Sequence, residues 1–115
     1  MEIAVLASGN GSNFQAIIDA SIRGEIPNGN IKLLIVNVKE AYAIERAKKN
    51  NIPYYLIESN NKERDQFDLE ILDRLKKNNI DLIVLAGFMK ILSPIIVNEY
   101  RNKIINIHPS LLPLF

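Results

Sequence analysis

Ile3-Ala4-Val5-Leu6-Ala7-Ser8-Gly9-Asn10-Gly11-Ser12-Asn13-Phe14-Gln15-Ala16-Ile17-Ile18 runs from an apolar stretch through a glycine-bearing polar turn into a helical pattern. The run around Ile3, Val5 and Leu6 is short and continuous, as expected of a strand buried on both faces. Beyond Asn13 the period changes. Phe14, Ile17, Ile18, Ser21 and Ile22 follow i, i+3, i+4, i+7 and i+8, the spacing of one apolar helix face. Ser12 with Gln15 makes a capping-box pattern and predicts a helix start at that serine.

The same alternation continues outward. Leu33-Leu34-Ile35-Val36 with Val38, and Leu82-Ile83-Val84-Leu85-Ala86, are further apolar runs fit for parallel strands. Tyr54-Tyr55-Leu56-Ile57 and Ile104-Ile105-Asn106-Ile107 are shorter ones, and the last also reads as a buried strand. Between them, Ala41, Ile44, Ala47 and Lys48 suggest a second helix, closed by Asn50-Asn51 and Pro53. Phe67, Ile71, Leu72 and Leu75 mark a third, ending near Asn78-Asn79. Ser93-Pro94 opens a fourth with an N-cap and a proline at its first position, and Val97 and Tyr100 are expected on its inner face. Strand and helix alternating in this way predict right-handed βαβ crossovers. The fold class is α/β, a doubly wound, mainly parallel Rossmann-like sheet.

Composition narrows the function. The 115 residues are at most one domain, 48% hydrophobic and 23% charged, which is globular. A net charge of +1 argues against a nucleic-acid or membrane surface. There is no cysteine and a single histidine, so no metal site is expected. No apolar run approaches membrane-spanning length, and Met1 leads directly into a strand, so a cytoplasmic protein is expected.

In doubly wound sheets, ligands bind beyond the carboxyl ends of the strands. Three segments are expected there: Ser8 to Asn13, Gly87 to Leu92, and Asn106 to Pro113. In the first, unpaired amides at a helix N-terminus attract an anion. A phosphate would accept from the Gly11, Ser12 and Asn13 amides and the Ser12 hydroxyl; a plain turn with Ser12 merely capping is the other reading. A dinucleotide fits less well than a phosphomonoester. The third glycine of that pattern is replaced by Phe14, and Asn37-Val38-Lys39 ends the second strand without an acidic residue.

The segment Leu85-Ala86-Gly87-Phe88-Met89-Lys90-Ile91-Leu92 stays apolar as it leaves its strand. Either it packs under its neighbours, or it walls a flat heteroaromatic ligand. Arg64 is poorly placed for the dipole of the third helix, and is a solvated residue or a partner for an anion. Asn106 and His108 lie two apart on a predicted strand, hence on one side. They form a donor pair suited to an oxyanion, or else the histidine is a satisfied structural one.

Taken together, Val5 to Ile17, Leu85 to Pro94 and Asn106 to Pro113 resemble the glycinamide ribonucleotide formyltransferases in motif, order and spacing. The resemblance covers the whole chain and implies the formyltransferase fold. It also implies formyl transfer from 10-formyltetrahydrofolate to glycinamide ribonucleotide in purine biosynthesis, without a metal. By position, Gly11, Ser12 and Asn13 would hold the substrate phosphate. Arg64 would serve the folate or substrate side, Met89, Lys90, Ile91 and Leu92 would line the pterin pocket, and Asn106 would bind the cosubstrate as well. Asn106 and His108 would be the catalytic pair. Residues 1–115 would then be the N-terminal, nucleotide-binding part of a truncated formyltransferase domain. The resemblance places further strands, a folate loop and an aspartate partner for the histidine outside them. Surface left open by such a truncation would favour self-association. Two other functions fit parts of the pattern: a formyltetrahydrofolate hydrolase, and an inactive ribonucleotide-binding fragment.

Overall fold

The computed structural model describes residues 1–60 and 62–107. Among these described residues nine elements alternate: β1 (Glu2–Ala7), α1 (Ser12–Ile22), β2 (Asn30–Val36), α2 (Ala43–Lys49), β3 (Tyr54–Leu56), α3 (Arg64–Lys77), β4 (Leu82–Leu85), α4 (Pro94–Glu99) and β5 (Ile104–Asn106). The five strands form one parallel sheet in the order β3-β2-β1-β4-β5.

Strand periodicity divides the core into two layers. Ile3, Val5 and Ala7 of β1, with Leu34 and Val36 of β2, face Phe14, Ile17 and Ile18 of α1 and Ala43 and Ala47 of α2. The alternate residues Ala4, Leu6, Leu33 and Ile35 face Phe67, Ile71 and Leu75 of α3 and Ile96 and Tyr100 beside them. β1 is therefore buried on both sides, and the sheet is doubly wound as its apolar runs predict.

Asparagine pairs end two helices. Asn50 and Asn78 donate their side-chain amides to the carbonyls of Arg46 and Arg74, each at 2.8 Å. Asn51 and Asn79 follow with φ of 56° and 54°, the left-handed turn that asparagine tolerates better than most residues.

Three local expectations are corrected. Ser12 does not cap α1: Gly11 is the N-cap, with φ 81°, no side chain makes a cap bond, and Gln15 instead donates to Asp19 at 3.0 Å. Val97 is 41% exposed; the inner face of the short α4 runs through Ile96 to Tyr100 at its C-cap, four residues apart. Among the described residues β5 is the outermost strand of the sheet and is not buried, with Ile105 and Asn106 exposed. The N-cap of α4 is as predicted, with Ser93 Oγ accepting from the Ile95 amide at 3.3 Å. Among the described residues no helix is long and apolar enough to cross a membrane.

Candidate functional site

The chain steps outward from β1 to β2 and β3, then returns to set β4 on the other side of β1. The connections leaving β1 and β4 diverge to opposite faces of the sheet at that switch point, where doubly wound sheets bind their ligands. Ser8, only 4% exposed, bridges it. Its N–H donates to the Gly87 carbonyl at 3.3 Å, and its Oγ accepts from the Met89 amide at 2.7 Å. The glycine loop and the middle loop are thus held together by one residue.

The glycine loop turns at Gly11. A Cβ there would stand 2.7 Å from the Ala43 Cβ and 2.8 Å from its Cα, at a φ that side chains rarely adopt. Gly9 is unlike it: a Cβ at that position meets nothing within 4 Å. The first bond of the helix runs from the Gln15 amide to the Gly11 carbonyl at 2.8 Å. The N–H groups of Ser12 and Asn13 therefore precede the helical ladder, at the positive end of α1. Ser12 is exposed and Asn13 is 7% exposed.

α2 fastens this loop, which the sequence reading missed. The Ala43 amide donates to the Gly9 carbonyl at 3.3 Å. Arg46 donates to the Asn10 carbonyl at 3.0 Å and to Asn10 Oδ1 at 2.7 Å. No local signal marks Arg46, because an arginine on a short surface helix reads as solvated.

The middle loop packs under its neighbours only in part: Phe88 and Leu92 lie against the core, and the segment between them stands out. Met89 and Ile91 are 80% and 82% exposed. α3 clamps the loop's far end: the Arg64 guanidinium approaches the carbonyls of Ile91 and Leu92 at 3.5 and 3.3 Å. Asp68, 1% exposed and one turn on, accepts from the Ser93 amide at 2.6 Å. Arg64, Met89, Lys90 and Ile91 line a single cleft of about 420 Å³ with Phe67, Ser59 and Lys62. Asp68 did carry a signal: it is an acidic residue sharing the apolar face of Ile71, Leu72 and Leu75.

Asn106 ends β5 opposite Leu85, where β4 gives way to the middle loop, and the Ile107 amide extends the ladder to the Leu85 carbonyl at 2.9 Å. His108 and residues 109–115 lie outside the described residues, and with them the predicted pairing of His108 with Asn106. Asn37 just beyond β2 is buried, with Oδ1 unpaired among the described residues.

The formyl transferase family matches residues 1–115. The chain belongs to this family. It is 44% identical to phosphoribosylglycinamide formyltransferase of Escherichia coli strain K12, a match covering 100% of this chain and 54% of that protein. With the Haemophilus influenzae protein of the same name, identity is 46%, over 99% of this chain and 54% of the relative. The crystal structure of glycinamide ribonucleotide transformylase 1 from Geobacillus kaustophilus superposes with a TM-score of 0.89 at 44% identity, covering 99% of this chain and 61% of that one. A formyltetrahydrofolate deformylase from Pseudomonas putida shares the fold at 20% identity and a TM-score of 0.83. The chain spans about half the length of the curated relatives it matches.

Proposed function

We propose that the full-length protein is a phosphoribosylglycinamide formyltransferase of de novo purine biosynthesis, acting in the cytosol. It moves a formyl group from 10-formyltetrahydrofolate to the amine of glycinamide ribonucleotide. Residues 1–115 are the N-terminal, nucleotide-binding part of the formyltransferase domain. The observation that carries this reading is the Ser8 bridge: an anion-ready glycine loop and an exposed apolar loop meet at one switch point. The sequence around them is 44–46% identical to proteins of that name.

Each residue has a task in this reaction. The ribonucleotide phosphate accepts from the Gly11, Ser12 and Asn13 amides, where unpaired donors and the helix dipole favour an anion. The pterin lies against Met89, Lys90, Ile91 and Leu92, with Arg64 holding the carbonyls of that loop or turning to an anionic group of the folate. Asn106 contacts the cosubstrate's formyl group. The amine nitrogen attacks the formyl carbon, and the carbonyl electrons move to its oxygen. The Asn106 carboxamide and protonated His108 donate to that oxyanion; such donors are worth about 2.7–4 kcal/mol each. The carbonyl then re-forms as the bond from carbon to folate nitrogen breaks; His108 passes a proton to the departing nitrogen, a step worth roughly 10²–10⁴ in rate, and regains one through water from the attacking amine. A carboxylate beside an imidazole favours its charged form.

The test follows the folate product with and without glycinamide ribonucleotide. The expected result is turnover that requires the acceptor and yields formylated ribonucleotide. Equal turnover without acceptor, with formate released, would replace the transferase by a hydrolase.

A further inference from the structure

We propose that Arg46 is the positioning residue of the phosphate loop, holding Asn10 so that the Gly11, Ser12 and Asn13 amides stay converged on the ribonucleotide phosphate. The inference rests on the transferase reading and adds to it a residue outside the loop itself. Arg46 comes from the middle of α2 and reaches across to the loop with three nitrogens. Nε donates to the Asn10 carbonyl at 3.0 Å, Nη2 to Asn10 Oδ1 at 2.7 Å, and Nη1 approaches Gln15 Oε1 at 3.5 Å. Its guanidinium carbon lies 5.0 Å from the Tyr42 ring centroid, a cation–π distance. The Arg46 Cδ and Ala43 also form the wall that excludes a side chain at Gly11.

Two consequences follow from this arrangement. The planar fork spans the backbone and side-chain oxygens of one residue, so Asn10 is held in one rotamer and one peptide orientation just before the turn. A lysine supplies a single charge and cannot reproduce that fork. Moreover, every acceptor is neutral, and among the described residues no carboxylate forms an ion pair with Arg46. Its positive charge therefore stands uncancelled beside amides that already favour an anion. Geometry and field act in the same direction on a phosphate dianion.

The experiment compares full-length parent protein with Arg46→Lys, Arg46→Gln, Asn10→Ala and the Arg46→Lys/Asn10→Ala double variant. Expected for each single variant is a roughly tenfold higher KM for glycinamide ribonucleotide, about 1.4 kcal/mol. Both kcat and the KM for 10-formyltetrahydrofolate should stay within about twofold, and the double variant should be little worse than either single one. Should Arg46→Gln fail to fold, Arg46→Lys and Asn10→Ala carry the comparison. Both Michaelis constants rising together, a fall confined to kcat, or full rescue by lysine would each overturn the proposal. A parallel titration with inorganic phosphate, read from the Gly11, Ser12 and Asn13 amide shifts, keeps the two readings separate. If the parent transfers no formyl group, the transferase reading fails. Arg46 is then judged on whether its substitution weakens that phosphate response.

Discussion

The Ser8 hydroxyl accepts the Met89 amide proton at 2.7 Å, across a sequence separation of 81 residues. The bond joins the two loops that diverge at the switch point, so their spacing rests in part on one small side chain. A serine is needed there because strand ends expose backbone donors that must find acceptors. Ser8→Ala would leave the Met89 amide unpaired at a cost of about 1–3 kcal/mol. The expected outcome is a lower denaturation midpoint and faster hydrogen exchange at Met89. Unchanged exchange there would show that the bond does not hold the loop.

Gly11 and Gly9 should respond differently to the same substitution. Gly11→Ala meets both a left-handed φ and a backbone 2.8 Å from the new methyl group, and should cost about 2 kcal/mol or more. Gly9→Ala meets no neighbour and should stay within about 0.5 kcal/mol. Urea denaturation of the two variants checks this, and equal effects would mean that α2 does not press on the loop.

Asp68 joins α3 to the start of α4 through a buried carboxylate that accepts the Ser93 amide at 2.6 Å. Removing the acceptor leaves a buried donor unpaired. Asp68→Ala should therefore destabilise by about 2–3 kcal/mol, with Asp68→Asn retaining part of the loss because its carbonyl oxygen still accepts. The same variants should raise the KM for the folate more than that for the ribonucleotide, since Ser93 ends the loop carrying Met89 and Ile91. A selective effect on the ribonucleotide would contradict that division of the site.

The sheet was legible because apolar runs of Ile, Val and Leu leave β1, β2 and β4 no alternative to burial on both faces. The helices were legible from the spacing of Phe14, Ile17 and Ile18 and of Phe67, Ile71 and Leu75. Local patterns misled where tertiary contact decides. Ser12 and Gln15 match a capping box, yet Gly11 takes the cap because α2 crowds the turn. Val97 and Ile96 are equivalent by composition, and only packing against α3 and the sheet selects Ile96. The glycine loop, the middle loop and Asn106 were placed correctly at the strand ends by topology alone. Arg46 was not, because its partner Asn10 lies 36 residues away and nothing near it in sequence marks the pairing.

Gly11, Ser12 and Asn13 are proposed to hold the phosphate of the formyl acceptor. The most direct measurement is a crystal structure of the full-length protein with glycinamide ribonucleotide. Phosphate oxygens are expected within hydrogen-bond distance of those three amides, with the substrate amine directed toward Asn106 and His108. A phosphate bound elsewhere, with the Gly11-to-Asn13 amides facing solvent, would contradict that assignment.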